Sequence, residues 1–354
     1  MSEKVLMKGN EAVAEAAIRS GCRHFFGYPI TPQTEVSAYM AKVMPKIGGT
    51  FLQAESEIAA INMVLGAASA GVRAMTSSSS PGISLKTEGI SYIAGSDLPC
   101  VLLNIQRGGP GLGGIQPSQA DYWQATKAPG HGDLHLMVFA PSSVQEMVDI
   151  CMDAFDLSDY YRVPAMLLGD GLLGQMMEPV EFKERKPMEL PEKTWATNGH
   201  KGKRAHNITN SLFLLPEVLE SKVVERFERY KLIEENEVRF EELEVSDAQI
   251  VVVAYGATAR IVKSAIKLAR EKGIKAGLIR PISLWPFPKK PIINAAQTAK
   301  AFLCVEMSMG QMVDDVRLAV NGVKPVRFFG HTGGVIPTPN EVLEQIEKLL
   351  GGAK

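Results

Sequence analysis

Cysteine is scarce and scattered. Cys22, Cys100, Cys151 and Cys304 are the only four in 354 residues, and no two of them form a C-x-x-C pair. That spacing excludes an iron–sulfur cluster or a zinc site built by this chain alone. Long apolar runs are missing as well: no stretch reaches the roughly 18 residues that a membrane-spanning helix needs. The first residues, "MSEKVLMKGNEA", lack the apolar core of a signal peptide, so the expected location is the cytoplasm. Nor is there an excess of charge of one sign. Thirty-eight Lys and Arg against 39 Asp and Glu leave a net charge of -1, with no cationic cluster interleaved with aromatics, which argues against a nucleic-acid groove. No self-similarity appears at a solenoid period.

What is present is an ordinary globular composition, 45% hydrophobic and 22% charged, long enough for two cores. Short apolar runs alternate with helical stretches up to about Gly171: "CRHFFGYP", "RAMTSSS", "PCVLLNIQ", "LMVFAP" and "VPAMLLGDG" read as strands. That order predicts an α/β domain over residues 1–175 with a mostly parallel sheet and flanking helices. Residues 176–246 read as an extended, proline-punctuated linker followed by a long charged helix with a stripe of Val218, Val223, Val224 and Phe227. Alternation resumes over 247–354, predicting a second, smaller α/β domain.

Two motifs do not carry the chemistry they suggest. Gly109, Gly111 and Gly114 have the G-x-G-x-x-G spacing, but Pro110 lies between the first two glycines and "IQPSQAD" follows, so no helix is expected to open there for a pyrophosphate. Gly169–Asp170–Gly171 with Asn198 downstream imitates a motif that holds magnesium beside thiamine diphosphate. The intervening segment supports neither the helix nor the strand that such a site needs, and no metal is placed on this chain.

Candidate chemistry gathers where the strands end. Thr31 follows one predicted strand in "GYPITPQTE", Glu55 and Glu57 open an apolar helix, "TSSSSPG" follows another strand, and Arg107 closes "VLLNIQR". Strand ends of an open α/β sheet are where ligands bind. Thr31 has two readings, a cap for the helix that Pro32 would open or a hydroxyl facing a substrate. First-turn glutamates, for their part, commonly do no more than complement the helix dipole.

The segments "GYPITPQTE", "QAESEIAAINMVLGAASAGVRAMTSSSSPGISLKTEGI", "LPCVLLNIQRGGPG", "IVVVAYGATARIVKSAI" and "VEMSMGQM", in this order, resemble the alpha subunit of the 2-oxoacid:ferredoxin oxidoreductases. The resemblance implies a pyrimidine-binding domain for thiamine diphosphate followed by a transketolase C-terminal-like domain. It implies an enzyme that oxidatively decarboxylates a 2-oxoacid to acyl-coenzyme A and CO2 and passes electrons to ferredoxin. Magnesium and iron–sulfur clusters are then expected on beta and gamma partners, with or without a ferredoxin-like delta subunit. Carried across by residue, Glu57 and not Glu55 is the acid that meets the aminopyrimidine, because Gly66 and Gly71 then fall in step. Pro29 joins the cofactor contacts, Thr31 meets the substrate's oxygens and Arg107 pairs its carboxylate. The glycine loop is most like the branched-chain type, acting on 3-methyl-2-oxobutanoate. The alternatives are a 2-oxoglutarate enzyme, a thiamine enzyme working without ferredoxin, and a non-catalytic scaffold subunit. The second domain is expected to serve assembly, with the turn Gly256–Ala259 able to receive an anion.

Overall fold

The computed structural model describes residues 4–352. In chain order the first half runs β1 (Val5–Lys8), α1 (Gly9–Arg19), β2 (His24–Gly27), α2 (Thr34–Val43), β3 (Thr50–Gln53), α3 (Glu57–Ser69), β4 (Ala74–Ser78), α4 (Ser80–Gly95), β5 (Val101–Gln106), α5 (Tyr122–Thr126), β6 (Met137–Phe139), α6 (Val144–Tyr161), β7 (Ala165–Asp170), α7 (Gly171–Gln175) and β8 (Met177–Val180). The second half runs α8 (Pro216–Asn236), β9 (Phe240–Leu243), β10 (Ile250–Val253), α9 (Gly256–Glu271), β11 (Ala276–Pro281), β12 (Ser283–Trp285), α10 (Lys289–Ala295), β13 (Ala301–Glu306), α11 (Met312–Val320), β14 (Val326–Gly330) and α12 (Pro339–Gly352).

A seven-stranded sheet has the order β12-β6-β7-β5-β4-β2-β3, and a five-stranded sheet the order β14-β13-β10-β11-β9. Strands β2 to β7 pair in parallel, as do β10, β11, β13 and β14. Central strands β5 (VLLNIQ) and β7 (AMLLGD) are buried along their whole length, as parallel strands covered by helices on both faces must be. In β10, period-two alternation sends Ile250 and Val252 into the core under α9 and α12, and Val251 and Val253 into a core shared with the first sheet.

Two strands lie apart from their sequence neighbours. The antiparallel edge strand β9, within the interval read as linker and helix, closes the second sheet, and β12, from the C-terminal half, closes the first by pairing with β6. Helix α8 is present, but Val218 and Val224 are exposed; its buried face is Arg226, Tyr230 and Ile233. The stripe shifts because Tyr230 and Phe227 join His135 and Trp285 in an aromatic cluster, where the imidazole stacks on the indole at 4.5 Å, and Arg226 pairs with Asp97. Among the described residues no helix is long and apolar enough to cross a membrane.

Candidate functional site

Because strands β2, β4, β5 and β7 run parallel, the segments after them share one edge of the sheet. β2 and β4 are neighbours whose chains leave in opposite directions, so a crevice opens between their carboxyl ends. Gln33 spans it: its amide donates to the Tyr28 carbonyl at 3.2 Å and its oxygen accepts from Ser77 Oγ at 2.5 Å.

Thr31 does not cap a helix. α2 begins at Thr34 with Gln33 at its N-cap, two residues later than the proline pattern predicts. A residue preceding proline is driven from helical geometry, and the Pro32 carbonyl is taken by Asn10 at 2.8 Å instead of opening a helical ladder. Thr31 is therefore free of the local role, and its side chain is exposed. Its carbonyl accepts from Arg107 Nη1 at 2.9 Å, which joins two of the residues singled out in the sequence.

Arg107 is buried and its second guanidinium nitrogen donates to the Leu112 carbonyl at 3.1 Å, while Nε is sealed with no partner. Both bonds go to neutral carbonyls, and among the described residues no carboxylate pairs with it. The charge thus stands uncompensated between the Thr31 loop and the glycine loop, the condition in which a guanidinium captures an anion. The glycine loop carries no helix, and Gly111 and Gly113 take positive φ.

Glu57 is the first residue of α3 and only 6% exposed, whereas Glu55 points to solvent. The N-cap is Ser56, whose Oγ accepts from Ala59 N at 3.2 Å, so the Glu57 carboxylate is left for other work. It bonds to no described residue and lies against Gly82 of α4, where a Cβ would come within 2.7 Å of Glu57 Oε1 and 2.2 Å of Ser78 Oγ. The hydroxyls of Ser78 and Ser79 and Oδ1 of Asn104 are buried nearby without partners. These orphaned polar atoms fit a polar heterocycle held against an acid. Pro29 is exposed on the loop before Thr31. Glu57 does not touch Arg107. The two are linked through the first turn of α4, where the Arg107 amide donates to Ser80 Oγ at 3.0 Å.

Two cavities lie along the loops of this region, the first reaching the opening turn of α4. One of about 650 Å³ is lined by Ser80, Gly108 to Leu112, Asp121 and Met309, the other of about 530 Å³ by Thr31, Ile115, Gly171 and Ile336. Sequence reasoning missed Asp121, a buried acid that accepts from Ser80 Oγ at 2.6 Å and Asn104 at 2.9 Å, its pKa raised by burial. It missed Lys86 too, fully buried with Nζ 2.6 Å from Thr76 Oγ1. Burial pushes the Lys86 ammonium down to about 7, opposed by the charge of Glu57. No local signal marked it, since Lys86 stands beside Thr87 and Glu88 in a helix of mixed polarity.

Asp170 and Asn198 serve separate ends. Asp170 caps α7, accepting from Leu172 N at 2.8 Å and Leu173 N at 3.1 Å, and burial raises it to about 6. Asn198 sits in a surface loop and accepts from Arg204. Among the described residues no group of three or more His, Cys, Asp or Glu side chains is placed to hold a metal. All four cysteines are buried and free, and burial raises the Cys22 and Cys100 thiols to about 12. The turn at Gly256 is filled from within the protein: Gln119 donates to the Tyr255 carbonyl at 2.9 Å and accepts from Thr258 Oγ1 at 2.7 Å and Met307 N at 3.0 Å. An anion expected there would have to displace it.

A buried, unpartnered acid at a helix start and an unpaired arginine at the carboxyl edge of a parallel sheet, backed by a second α/β sheet, define a two-domain ligand-binding α/β protein. Residues 15–242 match the family "pyruvate flavodoxin/ferredoxin oxidoreductase, thiamine diphosphate-binding", and residues 248–342 match "pyruvate:ferredoxin oxidoreductase core domain II". The chain belongs to this oxidoreductase family. It is 48% identical over 346 residues to the ketoisovalerate oxidoreductase subunit VorB of Methanothermobacter marburgensis, covering 98% of each chain. It is 37% identical over 384 residues to the 2-oxoglutarate synthase subunit KorA of Methanothermobacter thermautotrophicus, covering 99% of this chain and 100% of that one. Among solved structures, the 2-oxoglutarate:ferredoxin oxidoreductase of Magnetococcus marinus superposes with a TM-score of 0.87 at 28% identity, over 98% of this chain and 65% of that one.

Proposed function

We propose that this chain is the alpha subunit of a thiamine diphosphate-dependent 2-oxoacid:ferredoxin oxidoreductase that acts on 3-methyl-2-oxobutanoate and related branched-chain 2-oxoacids. The observation that carries the reading is the unpartnered Glu57 carboxylate, cradled by Gly82 at the same sheet edge as the uncompensated Arg107. Thiamine diphosphate, when bound, supplies the nucleophilic carbon and the electron sink for decarboxylation. Glu57 holds a proton at its carboxyl for the ring nitrogen of the aminopyrimidine, and the buried Ser78 and Ser79 hydroxyls offer polar partners beside it. Pro29 adds an apolar contact to the cofactor. Arg107 pairs the substrate carboxylate and Thr31 donates its hydroxyl to a substrate oxygen.

Asp170 caps α7 while Asn198 pairs with Arg204 in a surface loop, which supports placing the magnesium and diphosphate on a beta subunit, and the wide spacing of the cysteines supports iron–sulfur clusters on further subunits. Identity of 48% to a ketoisovalerate subunit against 37% to a 2-oxoglutarate subunit favours the branched-chain substrate. The apolar side chains of Leu112, Ile115 and Met309 at the cavity mouths agree with that choice. The test is to purify the chain with its co-expressed partners and assay reduction of a low-potential acceptor with coenzyme A and a panel of 2-oxoacids. Highest kcat/KM is expected for 3-methyl-2-oxobutanoate. Preference for 2-oxoglutarate would overturn the substrate, and an inactive complex that binds no thiamine diphosphate would overturn the enzyme in favour of a scaffold.

A further inference from the structure

Asp121 is fastened to the end of β5 by two side chains. Asn104 and Gln106 stand two apart on the strand and so present one face. Asn104 Nδ2 donates to Asp121 Oδ2 at 2.9 Å, and the Asp121 amide donates to Gln106 Oε1 at 3.1 Å. Between the strand end and Asp121 lies the glycine loop, whose neck is closed by the Arg107–Pro117 bridge and by the Gly108 amide donating to the Gln116 carbonyl at 3.0 Å. Ser80, outside the loop, reaches both of its ends. Its Oγ donates to Asp121 Oδ2 at 2.6 Å and accepts from the Arg107 amide at 3.0 Å. The Arg107 carbonyl lies 3.2 Å from the same oxygen, but a hydroxyl has one proton, and the shorter, charge-assisted bond to the carboxylate takes it. With that proton committed, the Ser80 lone pairs are left for the Arg107 amide. Asp121 is buried, and among the described residues only these neutral donors bond its carboxyl. A buried carboxylate without a cation costs stability that an apolar residue of the same size would not.

We propose that Asp121 is a positioning residue: through Ser80 it fixes the backbone of Arg107, and with it the direction of the guanidinium toward the substrate carboxylate. The proposal rests on the reading of Arg107 given above. The guanidinium bonds only to loop carbonyls, that of Thr31 at 2.9 Å and that of Leu112 at 3.1 Å. Its fixed point is therefore its own backbone at the end of β5, and the Ser80 hydroxyl is the side chain that pins it there. A purely structural aspartate would stabilise the fold without altering how tightly the site holds a carboxylate.

The experiment uses the assembled complex and compares the parent with Asp121→Ala, Asp121→Asn, Ser80→Ala and the double variant Asp121→Ala with Ser80→Ala. Two quantities are read: steady-state kinetics with 3-methyl-2-oxobutanoate, and calorimetric binding of 3-methylbutanoate, which keeps the carboxylate and lacks the oxo group. Asp121→Ala and Ser80→Ala should each raise KM and the 3-methylbutanoate Kd about tenfold with kcat within about twofold of the parent, the pattern of lost binding rather than lost chemistry. The double variant should be no worse than either single one, because both break the same link. Asp121→Asn keeps an oxygen for Ser80 and Asn104 and should recover most of the lost binding. If Asp121→Ala does not assemble, Ser80→Ala and Asp121→Asn decide alone. Parental KM and Kd in Ser80→Ala, single effects that multiply in the double variant, or an Asp121→Asn variant as impaired as Ser80→Ala would each overturn the proposal. Arg107→Met separates this from the reading it rests on. Weakened binding there, with parental binding in the Asp121 and Ser80 variants, would keep Arg107 as the carboxylate partner and remove Asp121. Parental binding in Arg107→Met would remove the carboxylate role of Arg107 itself.

Discussion

Glu57 and Glu55 are two residues apart, and the backbone decides between them: Ser56 takes the N-cap, so Glu57 turns inward and Glu55 outward. Their likeness in sequence hid this, and only the helix register carried by the family resemblance separated them. Thr31 was ambiguous for the opposite reason, since a threonine before proline has the chemistry of a cap; the structure assigns that position to Gln33. With no cap to lose, Thr31→Ala should leave the melting temperature of the assembled complex near the parent while turnover falls about tenfold, roughly 1.4 kcal/mol in the barrier. Arg107→Met belongs with it. A carboxylate losing a charged hydrogen-bond partner loses roughly 1.5 to 3 kcal/mol, so steady-state kinetics should show KM rising by about ten- to a hundredfold. Parental kinetics in either variant would remove that residue from the site.

At the scale of elements, α4 is the instructive miss. The run Ser79-Ser80-Pro81-Gly82 has the chemistry of a turn and was given no element of its own after the strand, yet a helix opens there because proline is tolerated in a first turn. Gly82 stays because Glu57 and Ser78 leave no room for a Cβ. Fully buried β5 and β7 were legible as uninterrupted apolar runs, and the charged α8 by its length and composition. The edge strands β9 and β12 were not, since their partners lie across the fold and nothing local marks them. Gly82→Ala discriminates the two reasons for a glycine. In a helix with free space alanine stabilises by roughly 0.5 to 1 kcal/mol. Here overpacking should instead destabilise by about 1 to 3 kcal/mol, read as a lower midpoint in chemical denaturation. A gain in stability would show that Glu57 is not held against α4.

Across the whole molecule the two sheets behave as one body because loops of the first half are bonded into the second. Gln119 is fully buried between Tyr255, Thr258 and Met307, and Tyr122 OH donates to Asp315 at 2.6 Å. Glu306, in the "VEMSMGQM" segment, is the matching device on the other side: its buried carboxylate accepts from the backbone of Gln311, Met312 and Val313 and so fixes the start of α11. Gln119→Leu leaves buried backbone groups unpaired at about 1 to 3 kcal/mol each. Denaturation should therefore shift to a lower midpoint, and an unchanged curve would contradict the rivet. The central claim is that this chain contributes the acid that works on the cofactor's aminopyrimidine, and the most direct measurement is proton–deuterium exchange at the cofactor C2 position in the assembled complex. Glu57→Gln should slow exchange on the order of 10² to 10⁴-fold with assembly intact, and Glu55→Gln should leave it near the parent rate. Equal impairment in both variants, or loss in Glu55→Gln alone, would contradict the account.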